Sequence, residues 1–234
     1  SAADQTVSDF IARGATGPLP RHYGEALVAA ARKDPRIVAL CADLPGPTET
    51  DLFRDALPDR FLQVGIAEAN MIGIAGGMAR SGDIPFAHSF CVFATRRCYD
   101  QIAMQIAYPN LNAKVVGVIP GLSTLLGVSH QAIDDIALMR ALPNMTVIEP
   151  SGPGQVRQAV AAIARHPGPV YLRMKRADGT EQDQTSLDDS FKIGKARILR
   201  EGKDGLLLGC GMMVPVILEA ADMLAASGLA VTVA

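Results

Sequence analysis

The stretch RFLQVGIAEANMIGIAGGMARSG (residues 60–82) decides how the fold is interpreted. Its first part, RFLQVG, is typical of a short strand, and EANMIGIAGGMARSG is typical of a helix whose small residues permit close packing. Glu68 lies between the two, directly after Val64-Gly65-Ile66-Ala67. Because an ionised carboxylate in apolar surroundings is costly unless a charged or hydrogen-bonding group meets it, Glu68 is the first candidate for a functional residue.

Strands and helices alternate along most of the chain. Short apolar runs such as IVALCAD (37–43) and AKVVGVIP (113–120) alternate with helical segments such as YGEALVAAARKD (23–34) and ATRRCYDQIAMQIAY (94–108). This alternation predicts an α/β fold with a doubly wound, mostly parallel sheet that helices cover on both faces. In such sheets ligands bind at the carboxyl ends of the strands.

The composition predicts four parts of the chain. Residues 1–20 form an N-terminal arm that ends in the turn-rich GATGPLP, and residues 21–176 form the main α/β domain. The polar RADGTEQDQTSLDDS predicts a linker over 177–191. Residues 192–234 start a second α/β unit and contain one strand-helix-strand crossover. A unit of this size is too small to fold alone, so we expect an incomplete domain.

The overall composition is that of an ordinary globular protein, 49% hydrophobic with a net charge of -2. That charge gives no electrostatic reason to expect binding to nucleic acid or to an anionic membrane. Apolar runs long enough to span a membrane and a secretory signal pattern are both missing, so we expect a cytoplasmic location. The four cysteines form no C-x-x-C pair and the four histidines have no ligand spacing, so no metal site is expected on this chain.

Nucleotide-binding and hydrolase motifs such as G-x-G-x-x-G, G-x-x-x-x-G-K-[ST] and G-x-S-x-G are missing from the sequence. What remains is a set of residues near the expected carboxyl ends of strands: Asp43, Glu68, Phe90, Phe93, His130, Arg173, Lys175 and Arg176. Each has a structural alternative. The glutamate suits the first turn of a helix, the phenylalanines suit the core, the histidine suits a cap, and the cations suit a solvated surface.

In order and spacing, five segments closely resemble the pyrimidine-binding domain of transketolases. They are RFLQVGIAEANMIGIAGGMA, FAHSFCVFATRRCYDQI, AYPNLNAKVVGV, SHQAIDDIALMRALPNMTVIEP and GPVYLRMKR. The resemblance covers residues 21–176, and the tail from Lys192 resembles the start of the third domain of these enzymes. The best match is to split transketolases, whose carboxyl-terminal half is a separate polypeptide. The resemblance implies a transferase that moves a two-carbon ketol unit, or a related acyl unit, from a ketose-type donor to an aldehyde.

The resemblance also implies which residues bind the cofactor, thiamine diphosphate. Glu68 would bind the aminopyrimidine, share a proton with its ring nitrogen and act as a catalytic residue. Ile66, in the same VGIAE motif, would line this site. Phe93 would stack on the pyrimidine and Phe90 would line its pocket. Arg96 takes a position that holds Tyr in some relatives and Arg in others.

The substrate side is implied in the same way. Asp43 matches an acid near the thiazolium end of the cofactor, and His130 matches a catalytic histidine that faces the sugar oxygens. Arg21 and Arg176 match positions that hold a substrate phosphate, for which the guanidinium fork is well shaped. This half departs from the family, because GLSTLLGVSH has Leu125-Leu126 where relatives carry an acid, and ADLPGPT lacks a serine near the phosphate. Whether the substrate is phosphorylated is therefore left open.

The diphosphate half of the expected site is missing from the sequence. Transketolases anchor Mg²⁺ and the diphosphate with a GDG…N segment on another domain, and the sequence has no such segment. We therefore expect an N-terminal transketolase-type partner subunit to hold them, with self-association through the pyrimidine-binding domain. Two alternatives stay open: the beta-type subunit of a 2-oxoacid decarboxylating dehydrogenase, and a non-catalytic relative that only binds a partner.

Overall fold

The structure, a computed structural model, describes residues 21–124, 126–175 and 191–234. The predicted arm, Leu125, Arg176 and all but the last residue of the predicted linker lie outside the described residues. The described residues form a sheet of six strands and a sheet of two strands. The predicted division of the chain into four parts stays a prediction.

The larger sheet is built from alternating strands and helices. Its strands are β1 (Ile37–Cys41), β2 (Phe61–Gln63), β3 (Ile84–Phe90), β4 (Lys114–Val118), β5 (Thr146–Ile148) and β6 (Val170–Met174). The α-helices around it are α1 (His22–Lys33), α2 (Thr50–Ala56), α3 (Glu68–Arg80), α4 (Cys91–Thr95), α5 (Tyr99–Ile102), α6 (Asp135–Arg140) and α7 (Pro153–Arg165). The strand order is β2-β1-β3-β4-β6-β5 with every pair parallel, which confirms the predicted α/β fold.

Two apolar clusters lie on the two faces of this sheet. Successive strand residues point to opposite faces, so Ile37 and Ala39 of β1 belong to one cluster and Val38 and Leu40 to the other. The first cluster includes residues of α1 and α7, and the second includes residues of α3 and of the helical segment 91–107. Strands buried on both faces explain why the apolar runs in the sequence are continuous rather than alternating.

A glycine on β4 allows α4 to lie directly against the sheet. A Cβ atom at Gly117 would lie 2.8 Å from Cys91 Sγ, 2.8 Å from Tyr171 Oη and 2.9 Å from Cys91 Cα. The last of these is a backbone atom, so a side chain here is accommodated only if α4 moves. Since α4 carries Phe93, Gly117 controls the position of a candidate site residue.

We therefore expect Gly117→Ala to lower the free energy of unfolding by about 1–3 kcal/mol, the usual effect of overfilling a packed core. Urea denaturation monitored by circular dichroism checks this. Gly77→Ala is the matched control, because a Cβ atom there would meet no atom within 4 Å and alanine is the better helix former. Equal stability of the two variants would contradict this view of Gly117.

His88 on β3 is buried and hydrogen-bonded on both ring nitrogens. Nδ1 donates to the Leu40 carbonyl oxygen at 2.8 Å, so Nε2 accepts a hydrogen bond from Tyr23 Oη at 2.6 Å. Burial lowers the pKa of His88 to about 4. Between pH 6.5 and 4 the unfolded chain thus binds a proton that the folded chain does not, and stability falls as the pH falls.

As the pH falls from 6.5 to 4, we expect the free energy of unfolding to decrease by up to about 3 kcal/mol because of His88. His88→Gln is expected to be less stable than the unmodified chain at pH 7 but to lose less stability on acidification. Denaturant midpoints measured across that pH range check this, with His22→Gln as the control. Parallel pH profiles for the unmodified chain and His88→Gln would contradict the assignment.

The smaller sheet pairs β7 (Gly205–Leu207) in parallel with β8 (Val231–Val233), and α8 (Met213–Ala226) connects them. The apolar cluster of this unit contains the buried residues Ala221, Val231 and Val233. Within the described ranges, no helix combines the length and the hydropathy needed to cross a membrane.

Candidate active site

Glu68 is the first residue of α3, and its side chain is buried, with 1% of its surface exposed. Ser89 Oγ, near the end of β3, donates a hydrogen bond to Oε1 at 3.1 Å. Arg97 Nη1 donates to Oε2 at 2.8 Å and forms an ion pair. The start of a helix adds a further favourable field for the carboxylate. The buried Glu68 carboxylate is therefore stabilised by two side chains, Ser89 on β3 and Arg97 in the turn after α4.

Three of the predicted residues form an aromatic cluster beside this carboxylate. The ring centroids of Phe93 and His130 are 5.1 Å apart, those of Phe90 and His130 are 6.0 Å apart, and those of the two phenylalanines are 6.1 Å apart. Both phenylalanine contacts with His130 are edge-on. Ser129 Oγ lies 3.0 Å from His130 Nδ1. The cluster joins the end of β3 to the helical turn at residues 128–130.

Arg97 connects the carboxylate to the aromatic cluster. Its Cζ atom lies 4.1 Å from the centroid of the Phe93 ring, while Nη1 is bound to Glu68. A planar group with N–H donors thus fits between Glu68 and Phe93. Because an aminopyrimidine is also planar and nitrogen-rich, the residues present fit the pyrimidine of thiamine diphosphate.

Sequence reasoning missed Arg97 and singled out its neighbour Arg96. The structure pairs Arg96 with Asp134, with Nε 3.0 Å from Oδ2 and Nη2 2.9 Å from Oδ1, in an exposed position. Arg97 lies four residues from Phe93 and Arg96 lies three, so both spacings place an arginine on the side of Phe93 in a helical stretch and neither singles out Arg97. The cofactor role of Arg96 stays a prediction.

The other predicted cofactor- and substrate-binding residues that the structure describes lie outside the helices and strands. Ile66 is 74% exposed on the connection between β2 and α3. Asp43 lies on the turn after β1, where its backbone amide donates to Gln63 Oε1 at 2.8 Å. Arg21 forms an ion pair with Asp51 at the start of α2. Arg176 lies outside the described residues, so the predicted pair of phosphate-binding arginines is not tested.

Arg173, a candidate at the end of β6, belongs to a buried ionic cluster instead. Nε lies 2.8 Å from Asp135 Oδ2 and Nη1 lies 2.6 Å from Glu149 Oε1. Tyr171 Oη also donates to Asp135 Oδ2, at 2.7 Å. This arginine therefore joins β6 to α6 and to the segment after β5. In the described part of the chain, no group of three or more His, Cys, Asp or Glu residues is arranged to hold a metal ion.

Comparison with protein families agrees with this geometry. Residues 20–181 match the model described as transketolase, pyrimidine binding domain, and residues 194–234 match transketolase, C-terminal domain. The fold is thus that of a pyrimidine-binding domain. The chain belongs to the transketolase family, which depends on thiamine diphosphate, and the resemblance seen in the sequence is confirmed.

Individual relatives include a protein named as a transketolase subunit and one named as a transketolase C-terminal section. The chain is 46% identical over 208 residues to the 6-deoxy-6-sulfo-D-fructose transketolase subunit SqwH of a Clostridium species, covering 88% of this chain and 64% of that one. It is 41% identical over 212 residues to a transketolase C-terminal section of Methanocaldococcus jannaschii, covering 90% and 67%. The chain thus spans about two thirds of the length of these relatives.

Among solved structures, the chain is similar to a split-gene transketolase that is described as an inactive beta4 tetramer. The two share 44% sequence identity with a TM-score of 0.83. The match covers 91% of this chain and 68% of the other.

Proposed function

We propose that this chain supplies the pyrimidine-binding half of a thiamine diphosphate site in a split transketolase. An N-terminal transketolase-type partner holds Mg²⁺ and the diphosphate. The assembled enzyme transfers a two-carbon ketol unit from a ketose-type donor to an aldehyde. The observation that carries this proposal is the buried Glu68 carboxylate beside the ring of Phe93, with the planar, nitrogen-rich guanidinium of Arg97 held between them.

Each residue of the cluster has a role in this proposal. Glu68, positioned by Ser89, shares a proton with the pyrimidine ring nitrogen. Phe93 stacks on the pyrimidine, and the buried Phe90 shields it from water. His130 lies 5.1 Å from Phe93 and donates to oxygens of the substrate. When bound, the cofactor supplies the electron sink, while the protein orients it and controls the protons.

Two findings support the need for a partner. The described residues contain no group of three or more His, Cys, Asp or Glu that could hold a metal ion, and the family resemblance implies that Mg²⁺ and the diphosphate are held on another domain. The split-gene structure to which the chain is similar is described as inactive in its beta4 form. We carry this property over and expect the present chain to self-associate and to be inactive alone.

The donor that we propose is a ketose with an anionic terminal group. A relative at 46% identity is named for 6-deoxy-6-sulfo-D-fructose, which carries a sulfonate. The 121–130 loop presents exposed apolar side chains, Leu122 and Val128 among them, where the family resemblance implies an acid. This loop favours a donor whose part nearest to His130 differs from that of an ordinary sugar phosphate.

The test is a reaction with the purified chain, an N-terminal transketolase-type subunit, thiamine diphosphate and Mg²⁺. Fructose 6-phosphate, 6-deoxy-6-sulfofructose and pyruvate are offered separately with an aldose phosphate, and products are identified by mass spectrometry. With a ketose donor we expect a product ketose that is two carbons longer than the aldose acceptor. It should form only when this chain and the N-terminal subunit are both present. Carbon dioxide release from pyruvate without any ketol transfer would contradict the proposal and favour the 2-oxoacid dehydrogenase alternative.

A further inference from the structure

Arg97 makes two contacts that join the halves of the pyrimidine pocket. Its Nη1 atom lies 2.8 Å from Glu68 Oε2, and its Cζ atom lies 4.1 Å from the Phe93 ring centroid. A guanidinium is planar, donates from its edge and stacks through its face. These are the same two contacts that the proposed function assigns to the aminopyrimidine. Arg97 therefore satisfies the pocket from within the chain.

The guanidinium and the pyrimidine cannot hold these contacts together. With Arg97 in place, Glu68 Oε2 accepts from the guanidinium and Oε1 accepts from Ser89, so both carboxylate oxygens are engaged. The carboxylate in such an ion pair is ionised and has no proton to share with a ring nitrogen. In addition, one face of Phe93 is covered. Proton sharing with the cofactor thus requires that Arg97 leave.

The surroundings of Arg97 allow it to leave. Its side chain is 45% exposed, whereas that of Glu68 is 1% exposed, so the guanidinium reaches solvent by rotation of its own side chain. Within the described ranges its guanidinium has a single ion-pair partner, Glu68. Arg96 differs, because two hydrogen bonds tie it to Asp134.

We propose that Arg97 is an internal ligand of the pyrimidine pocket, seated on Glu68 and Phe93 in the cofactor-free chain and displaced when thiamine diphosphate binds. This inference rests on the proposed function. It makes Arg97 a positioning residue that sets the affinity for the cofactor. In the cofactor-free chain Arg97 also provides the buried Glu68 carboxylate with an ion-pair partner. A pocket that is free of its internal ligand for a fraction f of the time has an apparent Kd raised by 1/f. A seated state that is populated about 90% of the time weakens binding by about tenfold.

The test measures the Kd of thiamine diphosphate by isothermal titration calorimetry, with Mg²⁺ and the N-terminal subunit present. Arg97→Gln is expected to bind the cofactor about tenfold more tightly than the unmodified chain, because the internal competitor is removed. Arg97→Lys keeps the charge but loses the planar face, so its Kd is expected to lie between the two. Arg36→Gln, which removes an exposed arginine paired with Asp34, is the control with unchanged affinity. Thermal melts verify that each variant is folded.

If Arg97 had only a structural role, its replacement would not make thiamine diphosphate bind more tightly. Equal or weaker binding by folded Arg97→Gln and Arg97→Lys, with normal binding by the unmodified chain, would overturn this inference and leave the proposed function standing. Absence of binding by every variant and by the unmodified chain would overturn both.

Discussion

Replacement of Glu68 by Gln is expected to lower the thiamine-diphosphate-dependent activity of the assembled enzyme by about 10²–10⁴-fold, the usual contribution of a positioned acid–base group. Glutamine has nearly the same shape as glutamate, and its oxygen still accepts the hydrogen bond from Ser89 Oγ. It has no carboxyl proton to share with a ring nitrogen. The loss should therefore appear in kcat rather than in folding.

Initial rates at saturating cofactor and substrate check this prediction. We expect the Glu68→Gln chain to unfold at a denaturant concentration close to that of the unmodified chain, because the change removes a buried charge along with its ion pair. The matched control is Glu219→Gln, an exposed glutamate on α8. Activity of Glu68→Gln within twofold of this control would contradict the catalytic role of Glu68.

Replacement of Arg173 by Met is expected to lower the free energy of unfolding by about 3–5 kcal/mol, the cost of leaving buried charges without their partner. The arginine side chain is 10% exposed, and those of its two partners, Asp135 and Glu149, are 2% and 7% exposed. Methionine fills similar space but donates no hydrogen bond. Both carboxylates are then left buried without a cationic partner, while Tyr171 Oη still donates to Asp135 and the weak thiol donor of Cys210 still reaches Glu149.

Urea denaturation checks the stability of Arg173→Met against a matched arginine elsewhere. Arg200 forms an ion pair with Asp222 at 2.7 Å, but the two side chains are 36% and 69% exposed. Because water screens such a pair, Arg200→Met is expected to cost at most about 1 kcal/mol. A similar, small loss in both variants would show that Arg173 is not the centre of a buried ionic cluster.

The sheet and the cofactor motif were predictable because residues that are neighbours in the sequence indicate both of them. Short, mostly apolar runs between helical segments indicate parallel strands buried on both faces, as β1, β4 and β6 are, although β4 includes Lys114 and β6 includes Arg173. Glu68 was recognisable because an apolar run surrounds a lone carboxylate. The order in which β6 precedes β5 across the sheet has no local signature in the sequence.

The predicted helix over 94–108 forms differently, because tertiary packing overrides helical periodicity. The structure replaces one helix by the end of α4, a 3₁₀ turn at Arg96–Cys98, α5 and a π-helical segment at Ala103–Ala107. The π segment brings the Gln105 carbonyl oxygen to 2.8 Å from the position of a Cβ atom at Gly76 on α3. Such a close approach depends on a partner helix about thirty residues away, which a local pattern does not contain.

Contacts between distant residues also explain what was missed in the site. Arg97 and Glu68 are separated by 29 residues in the sequence, and Arg173 and Asp135 by 38 residues. Two adjacent arginines look alike in the sequence. The 3₁₀ turn at Arg96–Cys98 directs Arg97 towards Glu68 and Arg96 towards Asp134.

The most direct test of the central claim is a titration of thiamine diphosphate with Mg²⁺, monitored by the circular dichroism band that the bound cofactor gives. The samples are this chain alone, the N-terminal subunit alone and the mixture of the two, with Phe93→Ala as the variant that removes the stacking ring. We predict a saturable band in the mixture, no band in either chain alone and a much weaker band with Phe93→Ala. No band in a mixture whose N-terminal subunit binds diphosphate, or a full band from this chain alone, would contradict the claim that it supplies half of a shared site.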